Sequence, residues 1–360
     1  MHYERIQLNT TTATYTLEIE IVVLLKARGF STGLAKALAL NTEVFEQRYW
    51  VVDNSGSMEV EDGHRIVNMA KKYAIQSVSR WEELQDTIGY HSEMAALLQT
   101  PTTFKLLNRP APGVGKREFS VAKKGTNVED DIRKAKEIMG RAKPLGVTPL
   151  TQRVWEIRDS IKASAPHLIT EGRRVVVVLA TDGLPTDEEG YGGDDALEEF
   201  TDALKSLEGL PLWLVIRLCT DEEKVRKFYN TLDSKLDLPL DVLDDFLGEA
   251  AEVHRHNNWL NYALPIHRCR ELGHHDRLFD VIDERPLTKF ELREFCALLF
   301  GTEIRQIPDP NVNWKDFLMY IQDELKEETK QWDPVQKKLG PWIYLKSLHR
   351  RYGNGVCSIM

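Results

Sequence analysis

The stretch Val51-Val52-Asp53-Asn54-Ser55-Gly56-Ser57 sets a carboxylate and two hydroxyls at alternate positions directly after a short apolar run. Two distant stretches carry related chemistry: Thr148 in the run GVTPLT, and Asp182 in ATDG, just after RRVVVVL. The five side chains of Asp53, Ser55, Ser57, Thr148 and Asp182 are small and end in oxygen, the donor type that surrounds a hard divalent cation. None offers nitrogen or sulfur, which disfavours zinc and copper. Mg²⁺ demands near-octahedral oxygen geometry and keeps several waters, so neutral hydroxyls backed by outer-sphere carboxylates suit it, with Mn²⁺ or Ca²⁺ as alternatives. A shell so poor in charge leaves the ion ready for an incoming carboxylate.

A second candidate chemistry stands at the end of the sequence. Cys357-Ser358-Ile359-Met360 has the form of a C-a-a-X prenylation signal, and a terminal Met favours farnesyl. Lys346, His349, Arg350 and Arg351 lie upstream, and a basic patch is the second signal that a single prenyl chain needs to hold a membrane. Lipidation of Cys357 would put the chain on the cytosolic face of a membrane; the alternative is a terminal tetrapeptide of no consequence. Cys219, Cys269 and Cys296 form no CxxC pair and fit no zinc spacing, so reduced thiols in a cytoplasmic protein are expected. His254, His256, His267, His274 and His275 lack the HExxH arrangement and read as packing or surface residues. GVGK at 113–116 lacks the upstream glycine of a phosphate loop and reads as a turn.

These residues must be positioned by a scaffold, and the pattern from about 47 to 255 alternates strands with helices. YWVVD is a strand ending at Asp53. Val175 to Val178 are β-branched without polar alternation, as in a central parallel strand buried on both faces. Further strands are expected at 104–107, 118–122 and in PLWLVIRL and LPLDVLDD. Helices are expected from Arg65 through Arg80 and on towards Gln99, from Asn127 to Met139, from Thr148 to Ala163, from Asp194 to Leu207 and from near Thr220. The fold class implied is α/β, a doubly wound, mostly parallel sheet with helices on both faces and helical N- and C-terminal extensions. In such a sheet Asp53, Thr148 and Asp182 fall at the carboxyl edge of the strands, where ligands bind. The organisation reads as an N-terminal helical extension over 1–45, a sheet domain over 46–256 and a helical extension over 257–360. The last has helices at 289–300, 313–330 and 334–350, no strong strand, and a flexible tail.

D-x-S-x-S after a strand, a distant Thr in G-x-T-P-L and a strand ending T-D-G together resemble the metal-ion-dependent adhesion site of the von Willebrand factor A (vWA) domain family. The resemblance covers roughly 47 to 255. It implies that Ser55 and Ser57 ligate the metal directly, with Thr148 joining them in the high-affinity arrangement. Asp53 and Asp182 would act through water, and a Glu or Asp of a partner protein would fill the sixth position. The function implied is Mg²⁺-dependent protein binding by an intracellular adaptor or scaffold, and not an enzyme. Two alternatives stay open. One is a Mg²⁺-dependent phosphotransferase or hydrolase using Asp53, although Ser55 stands where aspartyl-phosphate chemistry wants a second acid. The other is a structural subunit whose metal site is vestigial.

Composition sets the outer bounds. The 360 residues carry a formal charge of −9, which argues against a dedicated nucleic-acid binder, and no run of apolar residues is long enough to cross a bilayer. The opening MHYERIQLNTTT lacks the basic start and apolar centre of a secretory signal.

Overall fold

A computed structural model describes residues 18–69 and 72–353. A helix over 18–27 (α1) and the helix Thr32–Val44 (α2) lead into the strand Phe45–Val52 (β1). The strands Gly63–Met69 (β2) and Lys72–Val78 (β3) follow, then the helix Arg80–Leu97 (α3), the strands Thr102–Leu106 (β4) and Glu118–Val121 (β5), and the helices Val128–Arg141 (α4) and Leu150–Thr170 (α5). Arg174–Thr181 (β6), Asp194–Lys205 (α6), Leu212–Leu218 (β7), Glu223–Asp233 (α7) and Leu240–Leu243 (β8) complete the alternation.

The described residues divide into two compact units, one of 42–245 with 270–273 and the other holding the rest. In the first unit six strands form one sheet in the order β5-β4-β1-β6-β7-β8. All neighbours run parallel except the edge pair β4 and β5. Counted along the chain, this is the 3-2-1-4-5-6 order of a doubly wound sheet, and the winding reverses between β1 and β6. The chain is therefore an α/β protein with a mostly parallel central sheet, as its alternating pattern implies.

The apolar runs are explained by two cores, one on each face. Val51, Val175, Val177 and Leu179 point to the side covered by α5, α6 and α7, where Leu150, Val154, Ile157, Phe200 and Tyr229 meet them. Trp50, Val52, Val176 and Val178 point to the side of α3 and α4, against Trp81, Leu84, Ile88 and Met139. With both faces covered, β6 has no polar alternation to show.

Two expected helices start later than their sequence pattern implies. The stretch from Arg65 to Arg80 is an antiparallel hairpin, β2 with β3, and the helix begins only at Arg80. The cause is a reciprocal cap. Ser79 Oγ accepts from Glu82 N–H at 3.2 Å, and the Glu82 carboxylate accepts from Ser79 N–H at 3.0 Å, which fixes the helix start after Ser79. Thr148 does not open a helix either. It lies in the loop before α5, whose first residue is Leu150.

The second unit contains the helices Phe246–His256 (α8), most of Leu264–Glu271 (α9), Arg277–Ile282 (α10), Lys289–Phe300 (α11), Trp314–Glu327 (α12) and Leu345–Tyr352 (α13). Residues 334–350 are not one helix. Gln331–Asp333 (β9) and Lys338–Gly340 (β10) pair as a short hairpin before α13. Asp333 Oδ1 accepts from the N–H groups of Val335 and Gln336, both at 2.8 Å, and Lys337, with a left-handed φ of 53°, turns the chain back into β10 instead of extending a helix. The N-terminal helices belong to this unit as well. Gly33 of α2 lies so close to α11 that a Cβ on it would fall 1.9 Å from Leu298 O, a contact only glycine permits. No described helix is long and apolar enough to cross a membrane. Cys357 and the residues after Gly353 lie outside the described residues.

Candidate metal centre

Asp53 follows β1 and Asp182 follows β6, so the two carboxylates stand at the carboxyl ends of adjacent parallel strands, where the winding of the sheet reverses. Strand pairing carries on into the site, since Asp53 N–H donates to Ala180 O at 2.9 Å. Asp53 is fully buried and both of its oxygens are engaged. Oδ1 accepts from Ser55 N–H at 2.8 Å, and Oδ2 accepts from the Thr181 hydroxyl at 2.6 Å. The Ser55 hydroxyl lies 3.0 Å from that of Ser57, and Ser57 donates to Asp182 Oδ1 at 2.8 Å. Ser57 is exposed while Asp53, Ser55 and Asp182 are buried, so the chain of oxygens runs from the sheet edge to solvent.

The loop bearing Thr148 is held to both of the others. Leu145 N–H donates to Asn54 O at 2.8 Å, and Gly56 N–H donates to Gly146 O at 3.2 Å. Thr186 N–H donates to Thr148 O at 3.0 Å, while Thr148 N–H donates to Thr186 Oγ1 at 3.1 Å. A Cβ on Gly183 would lie 3.9 Å from the Thr148 hydroxyl. The five residues singled out in the sequence are thus gathered at one rim. Asp53, Ser55, Ser57 and Asp182 are linked by hydrogen bonds, and Thr148 is brought beside them by its backbone.

Three further residues were not foreseen. Arg80, at the start of α3, donates from Nη1 to Asp182 Oδ2 at 2.9 Å and forks onto both oxygens of Asp62 at 2.7 Å. Its guanidinium is held well above its ordinary value, chiefly by the hydrogen bonds to Asp62. Thr181 fixes Asp53 as described, and Tyr229 donates to Gly183 O at 2.9 Å. The capping box Ser79…Glu82 is the sequence signal that could have placed Arg80 at a helix start.

Burial pushes the Asp53 carboxyl up to about 6, with repulsion from Asp182 adding to it and the hydrogen bonds from Thr181 and Ser55 opposing it. Asp182 is raised by burial, against the pull of Arg80 and Ser57. Two buried carboxylates that repel each other, with Arg80 divided between Asp182 and Asp62, form a site that favours more positive charge.

The donor set fits a hard cation. Oxygens sharing an octahedral shell at Mg²⁺ bond lengths are spaced about 3.0 Å apart, close to the 3.0 Å between the two serine hydroxyls and the 2.8 Å from Ser57 to Asp182. Among the described residues no group of three or more His, Cys, Asp or Glu side chains is placed to hold a metal. A metal here would instead rest on hydroxyls for its direct ligands.

No family model and no curated protein matches this chain. Among solved structures it is similar to the pilus adhesin SpaC from Lactobacillus rhamnosus GG, at 14% identity in an open conformation and 13% in another crystal form. Each superposition has a TM-score of 0.38 and covers 64% of this chain but 30% of the adhesin. The chain thus spans less than a third of that protein, and the likeness carries no argument about the site.

Proposed function

We propose that this chain is a Mg²⁺-dependent protein-binding adaptor or scaffold of the vWA type, and not an enzyme. The observation that carries the reading is the gathering of Asp53, Ser55, Ser57, Thr148 and Asp182, from three separate loops, at the reversal point of the sheet. Ser55, Ser57 and Thr148 would hold the ion, with Asp53 and Asp182 behind them; Mn²⁺ and Ca²⁺ are alternatives. When bound, the cation supplies a hard coordination position for a carboxylate oxygen of a partner's Asp or Glu.

The rim supports a protein ligand in a second way. Leu145 and Tyr191 are 76% and 74% exposed, two of the three most exposed large apolar side chains among the described residues. Leu145 is bonded to Asn54. Next to Tyr191, a Cβ on Gly190 would fall 2.6 Å from the Val147 side chain, so both residues flank the metal loops. Apolar side chains around a polar anchor are what a protein interface uses. Cys219, Cys269 and Cys296 are buried free thiols, in keeping with a cytoplasmic protein.

The test is thermal unfolding of the full chain in Mg²⁺ and in EDTA. A ligand at a hundred times its dissociation constant stabilises by about 2.7 kcal/mol, enough to raise Tm by several degrees. The rise is expected in the natural chain and lost in Asp53→Ala. A Tm that ignores Mg²⁺, Mn²⁺ and Ca²⁺ alike would leave the vestigial alternative standing.

A further inference from the structure

Beside the metal loops lies a cleft of about 410 Å³ with mostly polar walls. Val147 and Pro149, on either side of Thr148, line it together with Asn108. Asn108 N–H donates to Asn54 Oδ1 at 2.7 Å, and Asn108 Nδ2 donates to Val147 O at 2.8 Å. Cleft and metal loops are therefore one hydrogen-bonded body.

Three arginines, Arg109, Arg117 and Arg153, line the cleft with two glutamates, Glu156 and Glu188, and Arg153 lies 3.8 Å from Glu188. Glu156 is already shared among Lys105 at 3.0 Å, Arg117 at 3.1 Å and Arg153. Arg109 is exposed and makes no hydrogen bond or ion pair among the described residues. Arg153 is only 6% exposed, yet its Nε–H has no acceptor. A buried, unanswered donor on a charged group is costly, and a ligand in the cleft reaches this one only when the Arg153 side chain shifts outward. Arg153 also sits in the opening turns of α5, whose first turn holds no acid and whose cap, Pro149, gives no side-chain hydrogen bond. The partial positive charge of that helix end therefore adds to the arginines instead of being offset.

We propose that this cleft receives a second carboxylate from the same protein partner, a few residues along from the acidic side chain taken at the metal. The inference rests on the metal-dependent reading above. Glu156 and Glu188 remain in the cleft, so its small surplus of positive charge suits a monoanion better than a phosphate dianion. The planar fork of an arginine also matches a carboxylate. The partner segment is thus a doubly acidic peptide, read once by the metal and once by Arg109, Arg117 and Arg153.

The experiment measures fluorescence anisotropy of capped, labelled Gly/Ser peptides against the full chain, in Mg²⁺ and in EDTA. One peptide carries a single Asp, others carry two Asp residues joined by linkers of increasing length, and one carries phosphoserine in place of the second Asp. In Mg²⁺ the best two-Asp peptide is expected to bind about tenfold more tightly than the single-Asp peptide, the scale of one charge-assisted pair. Arg109→Glu, at an exposed position whose folding is checked by Tm, is expected to remove that gain. The assignment is overturned by no gain, by a gain that survives Arg109→Glu, or by a gain confined to phosphoserine. Equal binding in Mg²⁺ and EDTA refutes the metal reading, and an Arg109-dependent gain that persists in EDTA still supports the cleft. Absence of binding by every peptide overturns both.

Discussion

At the residue scale the buried carboxylates of Asp53 and Asp182 repel each other, and the titration of Asp53 exposes that. Asp53 lies at about 6 in the fold, while a carboxyl in an unfolded chain lies near about 4. The folded state therefore holds the Asp53 proton more firmly than the unfolded one. The resulting stabilisation is fully present below pH ~4 and is lost as pH rises to ~6 and beyond. Asn imitates the protonated acid, because its carbonyl still accepts from Ser55 N–H and the Thr181 hydroxyl can turn to accept from the amide. In EDTA, Tm of the natural chain minus that of Asp53→Asn should thus fall between pH ~4 and ~6.5, a comparison that cancels the titrating groups that do not interact with Asp53. A flat difference would mean that Asp53 ionises as freely in the fold as out of it. Most of this site was legible, because oxygen-bearing side chains at strand ends announce themselves by type and spacing. Arg80 was not. Its partners Asp62 and Asp182 lie 18 and 102 residues away, and nothing local in the sequence marks a buried guanidinium.

At the scale of elements, the main sheet was readable because its strands are buried on both faces, so continuous apolar runs stand out against the helices. The hairpin of β2 and β3 was not. Its strands pair only with each other, and its described side chains are mostly half-buried, so neither an apolar run nor a clean alternation appears. Ser79 and Glu82, a helix-start signal in plain view, mark where the hairpin gives way to α3. The same local chemistry predicts how two glycines respond to substitution. A Cβ on Gly63, at the base of the hairpin, would fall 2.7 Å from Ser79 O, and backbone cannot swing aside as a side chain can. Gly63→Ala should cost about 1–3 kcal/mol, the range for overpacking. Gly140 lies inside α4, and a Cβ there meets nothing within 4 Å. Gly140→Ala should therefore stabilise by about 0.5–1 kcal/mol, the helix-propensity difference. Opposite shifts in Tm are the expected result, and a neutral Gly63→Ala would place Ser79 further from the hairpin.

At the scale of the whole molecule, the division of the described residues into two units decides where a bound metal is felt. All five candidate ligands, Arg80 and the arginine cleft lie within 42–245. Linkage stabilises only states that retain the site, so an opening reaction confined to the other unit is blind to the ion. Hydrogen exchange of the full chain should therefore slow on adding Mg²⁺ in peptides covering 53–57, 145–148 and 181–187. The segment 277–300, including α10 and α11, should exchange at the same rate in Mg²⁺ and in EDTA. Protection in both regions would mean that the two units open together, since a ligand held in one can slow exchange in the other only through a shared unfolding event. Protection in neither would count against binding at the rim. The selective pattern is expected because Gly33 against α11 and the edge-to-face packing of Trp259 on Phe295, with centroids 6.0 Å apart, give the second unit a core of its own.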